Sequence, residues 1–209
     1  MINILTKDKL ESQYKELPIK YYDYLDWLGT DYGSNEEYAC QHYYYLFTRS
    51  IKFRPRREWD EKGPEIYDAD KLSEHVGHVV GIIKELKLKK FIIEHEYGPI
   101  LWFPKGLLDK KKPLDEKLKF VQSISPLIDV NNFEGGFYVE NSINDIEGFI
   151  RAFVDYPFFG GRDIDIISTE IDLVIKIFHH LDIVFITRKK VTIERIINLL
   201  RKTNLKIIT

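Results

Sequence analysis

Asp163-Ile164-Asp165-Ile166-Ile167, Ile171-Asp172-Leu173-Val174-Ile175-Lys176-Ile177-Phe178-His179 and Ile183-Val184-Phe185-Ile186 are three closely spaced apolar runs that decide the fold class. The first alternates polar and apolar residues, which predicts a strand; the third is an unbroken apolar run of strand length. The middle run fits two templates. As a strand it places Ile171, Leu173, Ile175 and Ile177 on one face; as a helix it groups Ile171, Val174, Ile175 and Phe178, with Thr169 and Asp172 as a cap. Its β-branched residues favour the strand, with His179-His180-Leu181-Asp182 as the following turn. Strands here and helical periodicity elsewhere predict an α+β fold: a mixed or antiparallel sheet packed by several helices.

Working outward, residues 70–88 carry the clearest helical pattern, with Leu72, Val76, Val79, Ile83 and Leu86 on one stripe. Gly77 and Gly81 lie nearly opposite that stripe, so a second element is expected to pack tightly there. Phe91–Glu96 and Ile100–Phe103 flank Tyr97-Gly98-Pro99 and read as a hairpin. A helix follows Pro113 and stops near Pro126, a strand covers Phe137–Glu140 after Gly135-Gly136, and Ser142 with Asp145 opens another helix. A helix over Thr192–Lys202 and a short strand over Leu205–Ile208 complete this part. On the N-terminal side, residues 7–16 read as a polar helix, Pro18 opens a second, and the capping box Ser34/Glu37 starts a third running through Phe47. The N-terminal region is thus expected to be helical and aromatic-rich. Pro55, Gly63 and Pro64 mark a long connection, so the chain is one domain over 1–209, or is subdivided into a helical 1–68 and an α+β 69–209.

Composition narrows the function classes. No run approaches the roughly 18 apolar residues of a membrane span, and the N-terminus lacks a secretion pattern, so a cytoplasmic protein is expected. The single cysteine, Cys40, excludes an intrachain disulfide and a multi-cysteine metal site. With 28 isoleucines and three alanines, helices depend on tertiary contacts. The net charge of −2 hides a segregation: residues 121–187 hold 3 basic and 11 acidic side chains, and residues 188–209 hold 7 basic and 1 acidic. Either the two blocks neutralise each other, or the acidic block steers a basic partner. Nucleic acid is not expected, because Glu58, Asp60 and Glu61 cancel Arg54, Arg56 and Arg57.

Several constellations could carry chemistry. On a strand, Asp163 and Asp165 project to one face about 7 Å apart, a spacing that Mg²⁺ can bridge, with Asp172 or Asp182 as a third carboxylate; the alternative is an edge strand with an acidic solvent face. This weakly resembles the Gly-Ser … Asp-x-Asp motif of nucleotidyltransferases. There, however, a helical stretch separates the two parts, and here only Arg162 follows Gly160-Gly161. His75 and His78 at i, i+3 could hold a metal with Glu94, His95 or Glu96 as third ligand, or be ordinary helix-surface histidines. His179-His180 beside Asp182 could form an acid/base pair, but no Gly-x-Ser-x-Gly nucleophile motif accompanies it. Cys40 next to His42 reads as a structural cysteine, since helix residues two apart point different ways. Walker A and dinucleotide-binding glycine patterns are missing from the sequence.

Tyr21, Tyr22, Tyr24, Trp27 and Tyr43-Tyr44-Tyr45 form an aromatic concentration suited either to a small core or to partner contact. Within it, Leu17-Pro18-x-x-Tyr21-x-x-Tyr24-Leu25 resembles the Leu-Pro-x-x-Tyr-x-x-Phe-Leu opening of the SMI1/KNR4 superfamily over about ten residues. That resemblance implies a bacterial toxin-immunity protein. The expectation is a non-enzymatic binding protein with a protein partner, such as a basic toxin, contacted by Asp163, Asp165, Asp172, Asp182, Tyr43 and Tyr44, and without a cofactor. The alternative is a Mg²⁺-dependent nucleotidyl- or phosphoryl-transfer enzyme using Asp163, Asp165 and Asp172.

Overall fold

A computed structural model describes residues 1–19, 44–50, 69–95, 116–128, 133, 135–154, 164–178, 182–203 and 205–208. The elements run β1 (Ile2–Thr6), α1 (Lys7–Tyr14), β2 (Tyr44–Ser50), α2 (Ala69–Glu85), β3 (Lys90–His95), α3 (Glu116–Ile124) with a 3-10 turn (Ser125–Leu127), β4 (Gly135–Glu140), α4 (Ile143–Val154), β5 (Ile164–Ser168), β6 (Val174–Ile177), β7 (Ile183–Thr187), α5 (Lys190–Leu200) and β8 (Leu205–Ile208). The strands form one sheet in the order β1-β4-β3-β5-β6-β7-β2-β8, every neighbouring pair antiparallel. The α+β class is therefore observed, and the ambiguous run at 171–179 contains strand β6.

Two N-terminal expectations are corrected. The chain enters as strand β1, and Tyr44–Ser50, placed at the end of a helix by the capping-box reading, is strand β2 between β7 and β8. Tertiary pairing decided this: Tyr44 through Thr48 are matched one for one with Thr187 through Ile183. The expected helices between Pro18 and Tyr43, and the connection through Asp68, lie outside the described residues.

The apolar runs are explained by burial on both faces. Every residue of β5, β6 and β7 is buried. On one face, Phe91, Ile93, Phe137, Val139, Ile164, Ile166, Ile175, Ile177, Ile183 and Phe185 meet Val76, Val79 and Ile83 of α2, Val121 of α3, Phe149 and Ile150 of α4, and Ile196 of α5. On the other, Ile92, Ile167, Val174, Val184 and Ile186 lie under Leu10 and Tyr14 of α1 and Ile19 beyond it. Strands covered on both sides read as continuous apolar sequence, whereas one wet face imposes alternation.

The double glycine of β4 brings α1 close. Gly135 has φ +151°, and a Cβ there would collide with the Leu5 carbonyl oxygen of β1. At Gly136 a Cβ would come within 3.0 Å of Leu10 Cδ1, so the missing side chain seats α1 against the sheet.

Candidate functional site

Each of three central strands carries one buried charge beside isoleucine: Glu94 in β3, Asp165 in β5 and Lys176 in β6. The register sets Glu94 opposite Asp165 and Asp165 opposite Lys176, so the three form a row across the α1-covered face. All are sealed, at 4%, 0% and 1% exposure. Lys176 Nζ lies 3.3 Å from Asp165 Oδ1 and 5.4 Å from the Phe178 ring centroid. From α1, the Tyr14 hydroxyl donates to Glu94 Oε2. Burial, and then the neighbouring Asp165 charge, push the Glu94 carboxyl well above the ordinary carboxylate range, and Lys176 opposes them. Two carboxylates beside one ammonium are expected to hold one negative charge more readily than two.

This geometry relocates the carboxylates expected to face a partner. Asp165 is central, not on an edge strand, and is bonded to Lys176. Asp172 is buried before β6; its Oδ1 accepts from the Arg188 backbone N–H and its Oδ2 from Arg188 Nε, both at 2.7 Å. Asp182 is buried at the entry to β7. Asp172 is four residues from Lys176, roughly 13 Å along an extended strand, so it does not join the Glu94–Asp165 pair. Arg188 ties the acidic block to the basic C-terminal block and reaches the Pro18 carbonyl at 2.5 Å, so it also holds the Leu17-Pro18 segment. Tyr44 is 42% exposed on β2. Asp163, Tyr43, Cys40, His179 and His180 lie outside the described residues, as do Tyr21, Tyr24 and Leu25.

The histidine pair stands away from Glu94, one of its three expected third ligands; Glu96 and the side chain of His95 lie outside the described residues. His75 and His78 are on α2, over the sheet face opposite the one that carries Glu94. No group of three potential metal-ligating side chains occurs among the described residues. His75 is buried with neither ring nitrogen hydrogen-bonded, and burial followed by the His78 charge pushes its pKa down to about 3. His78 Nδ1 is also buried without a partner; burial lowers its pKa against the pull of Glu74.

The outer side of α2 departs from expectation too. A Cβ built at Gly77 or Gly81 meets nothing within 4 Å, so no described element packs on these glycines. They instead floor a groove of about 280 Å³ between α2 and the end of α5, lined also by His78, Ile82, Lys84, Glu85, Leu199, Lys202 and Thr203. Gly148 in α4 shows what a glycine used within the chain looks like, since a Cβ there would collide with the Phe120 ring. Gly77 and Gly81 each cost a helix interior about 1 kcal/mol relative to alanine. Nothing described in the chain occupies the space they leave.

No family model matches the chain, and no curated protein or solved structure matches it either.

Proposed function

We propose that this protein acts by binding a protein partner, with the groove between α2 and α5 as its contact surface. The observation that supports the reading is that groove: mid-helix glycines leave open an apolar floor beside a buried His78 nitrogen without a hydrogen-bond partner. Apolar concavities with a few polar groups are where proteins seat other molecules. The Glu94–Asp165–Lys176–Tyr14 row then serves as an internal fastener that fixes strand register and docks α1. A toxin is the partner class that the Leu17–Leu25 resemblance implies, and inhibition by cover of its working surface is the corresponding mode of action. The contact assigned to Asp165, Asp172 and Asp182 at the sequence level is not retained, since all three are interior.

The test is affinity capture from the native cell, followed by calorimetry with the purified partner. A stoichiometric complex that survives Asp165→Asn/Lys176→Met, with the fold retained, is the expected result. Failure of the wild-type chain to capture any protein stoichiometrically would remove the reading.

One observation favours a second reading, Mg²⁺-dependent phosphoryl or nucleotidyl transfer: Glu94 stands directly beside Asp165 on the neighbouring strand, so two carboxylates converge. Displacement of α1 would open them. Calorimetry with Mg²⁺ and nucleoside triphosphates tests this, and no heat would count against it.

A further inference from the structure

Resting on the binding reading, we infer that the occupant of the α2–α5 groove is an acidic amphipathic helix of the partner, with small residues on the face that meets Gly77 and Gly81. The floor sets the shape. Two glycines four residues apart lie one above the other on a helix face, and the absence of side chains there lets a second backbone approach closely. Ile82 and Leu199 supply apolar contact, and the half-buried His78 borders the same lining.

The rim sets the sign of the partner. Lys84 stands on one wall and Lys202 on the other, and neither has a carboxylate partner among the described residues; Glu85 is the one acidic side chain in the lining. Lys202 of the C-terminal basic block and Lys84 of α2 thus stand at one concave apolar surface, where a carboxylate-bearing helix gains attraction and a lysine-rich one is repelled.

The probe is a pair of synthetic helical peptides with one shared alanine-leucine face, flanked in one by glutamates and in the other by lysines. Each is titrated into the ¹⁵N-labelled full chain, with the Gly77 and Gly81 amide signals as readout. The glutamate peptide is expected to shift both signals and to bind at least tenfold more tightly than the lysine peptide. Gly81→Met should weaken it at least tenfold, and Lys84→Glu/Lys202→Glu should reverse the preference. Gly81→Ala, which fills little of the groove, serves as the control for folding. Equal binding of both peptides, or binding of neither up to millimolar concentration, overturns the inference. Shifts on raising the protein concentration alone would assign the groove to a second copy, and shifts with anionic phosphatidylglycerol vesicles but neither peptide would assign it to a membrane surface; either result overturns it. A partner captured equally by wild type and Gly81→Met would overturn this inference together with the groove as the contact surface, leaving only partner binding elsewhere on the chain, whereas no capture by wild type would remove partner binding as well.

Discussion

His75 makes folding sensitive to acid. Its ring is buried without hydrogen bonds and has a folded pKa of about 3, against about 6.5 when unfolded. Above 6.5 the ring is neutral in both states; below it the unfolded chain takes up the proton first, so stability falls as pH drops from 6.5 towards 3. The slope approaches about 1.4 kcal/mol per pH unit. His75→Leu should therefore gain about 3 kcal/mol over wild type in urea unfolding at pH 4.5, beyond any difference at pH 7. Glu94 acts in the opposite direction, because its folded pKa is raised and its contribution is lost as pH climbs above the ordinary carboxylate range. Glu94→Gln keeps an acceptor for Tyr14 and cannot ionise. It should be more stable than wild type at pH 8, with the advantage gone by pH 4, in paired denaturant titrations. Lys176→Met strands the Asp165 charge and should cost about 3 kcal/mol, while adding Asp165→Asn should recover most of it. A double-mutant cycle reads the coupling directly. The signal for this row was in the sequence: Glu94, Asp165 and Lys176 are each a charge set beside isoleucine in an otherwise apolar run, with both signs present. Only the register, which no local pattern reveals, showed that they meet.

At the scale of elements, legibility followed the strength of local periodicity. Strands β5 and β7, helix α2 and the Ser142-capped helix α4 were readable because alternation, an apolar stripe or a cap marks each one; the Asp145 backbone N–H does donate to Ser142 Oγ, at 3.4 Å. Strand β2 was not readable, since its aromatic residues suit either state and a capping box stands upstream; its partners come from more than a hundred residues away. The α2 glycines were read as a close-packing signal, yet no described residue packs on them, because sequence registers a missing side chain but not what faces it. Gly77→Ala and Gly81→Ala should therefore stabilise the protein by about 0.5–1 kcal/mol each, through helix propensity and a less flexible unfolded chain. A rise of a few degrees in melting temperature checks this; a loss of stability would show that the space is used within the fold.

For the whole molecule, the sequence announced an α+β protein with helices on a sheet, but not the strand order. Nor did it show that the acidic C-terminal block would turn much of its charge inward. Asp165, Asp172 and Asp182 looked like a surface because aspartate on a strand usually faces water. Here both sides of the sheet are roofed; Asp165 found Lys176 and Asp172 found Arg188 and Thr187 instead, while Asp182 is buried at the entry to β7. Strand order also bears on how the chain reaches its native form. Because β2 is flanked by β7 and β8, a growing polypeptide must carry that earlier strand with both margins unsatisfied until β7 and β8 have left the ribosome. Assembly is then slow and non-local, and the tyrosine-bearing ribbon at 44–48 is the place where a stalled chain would cling to its neighbours.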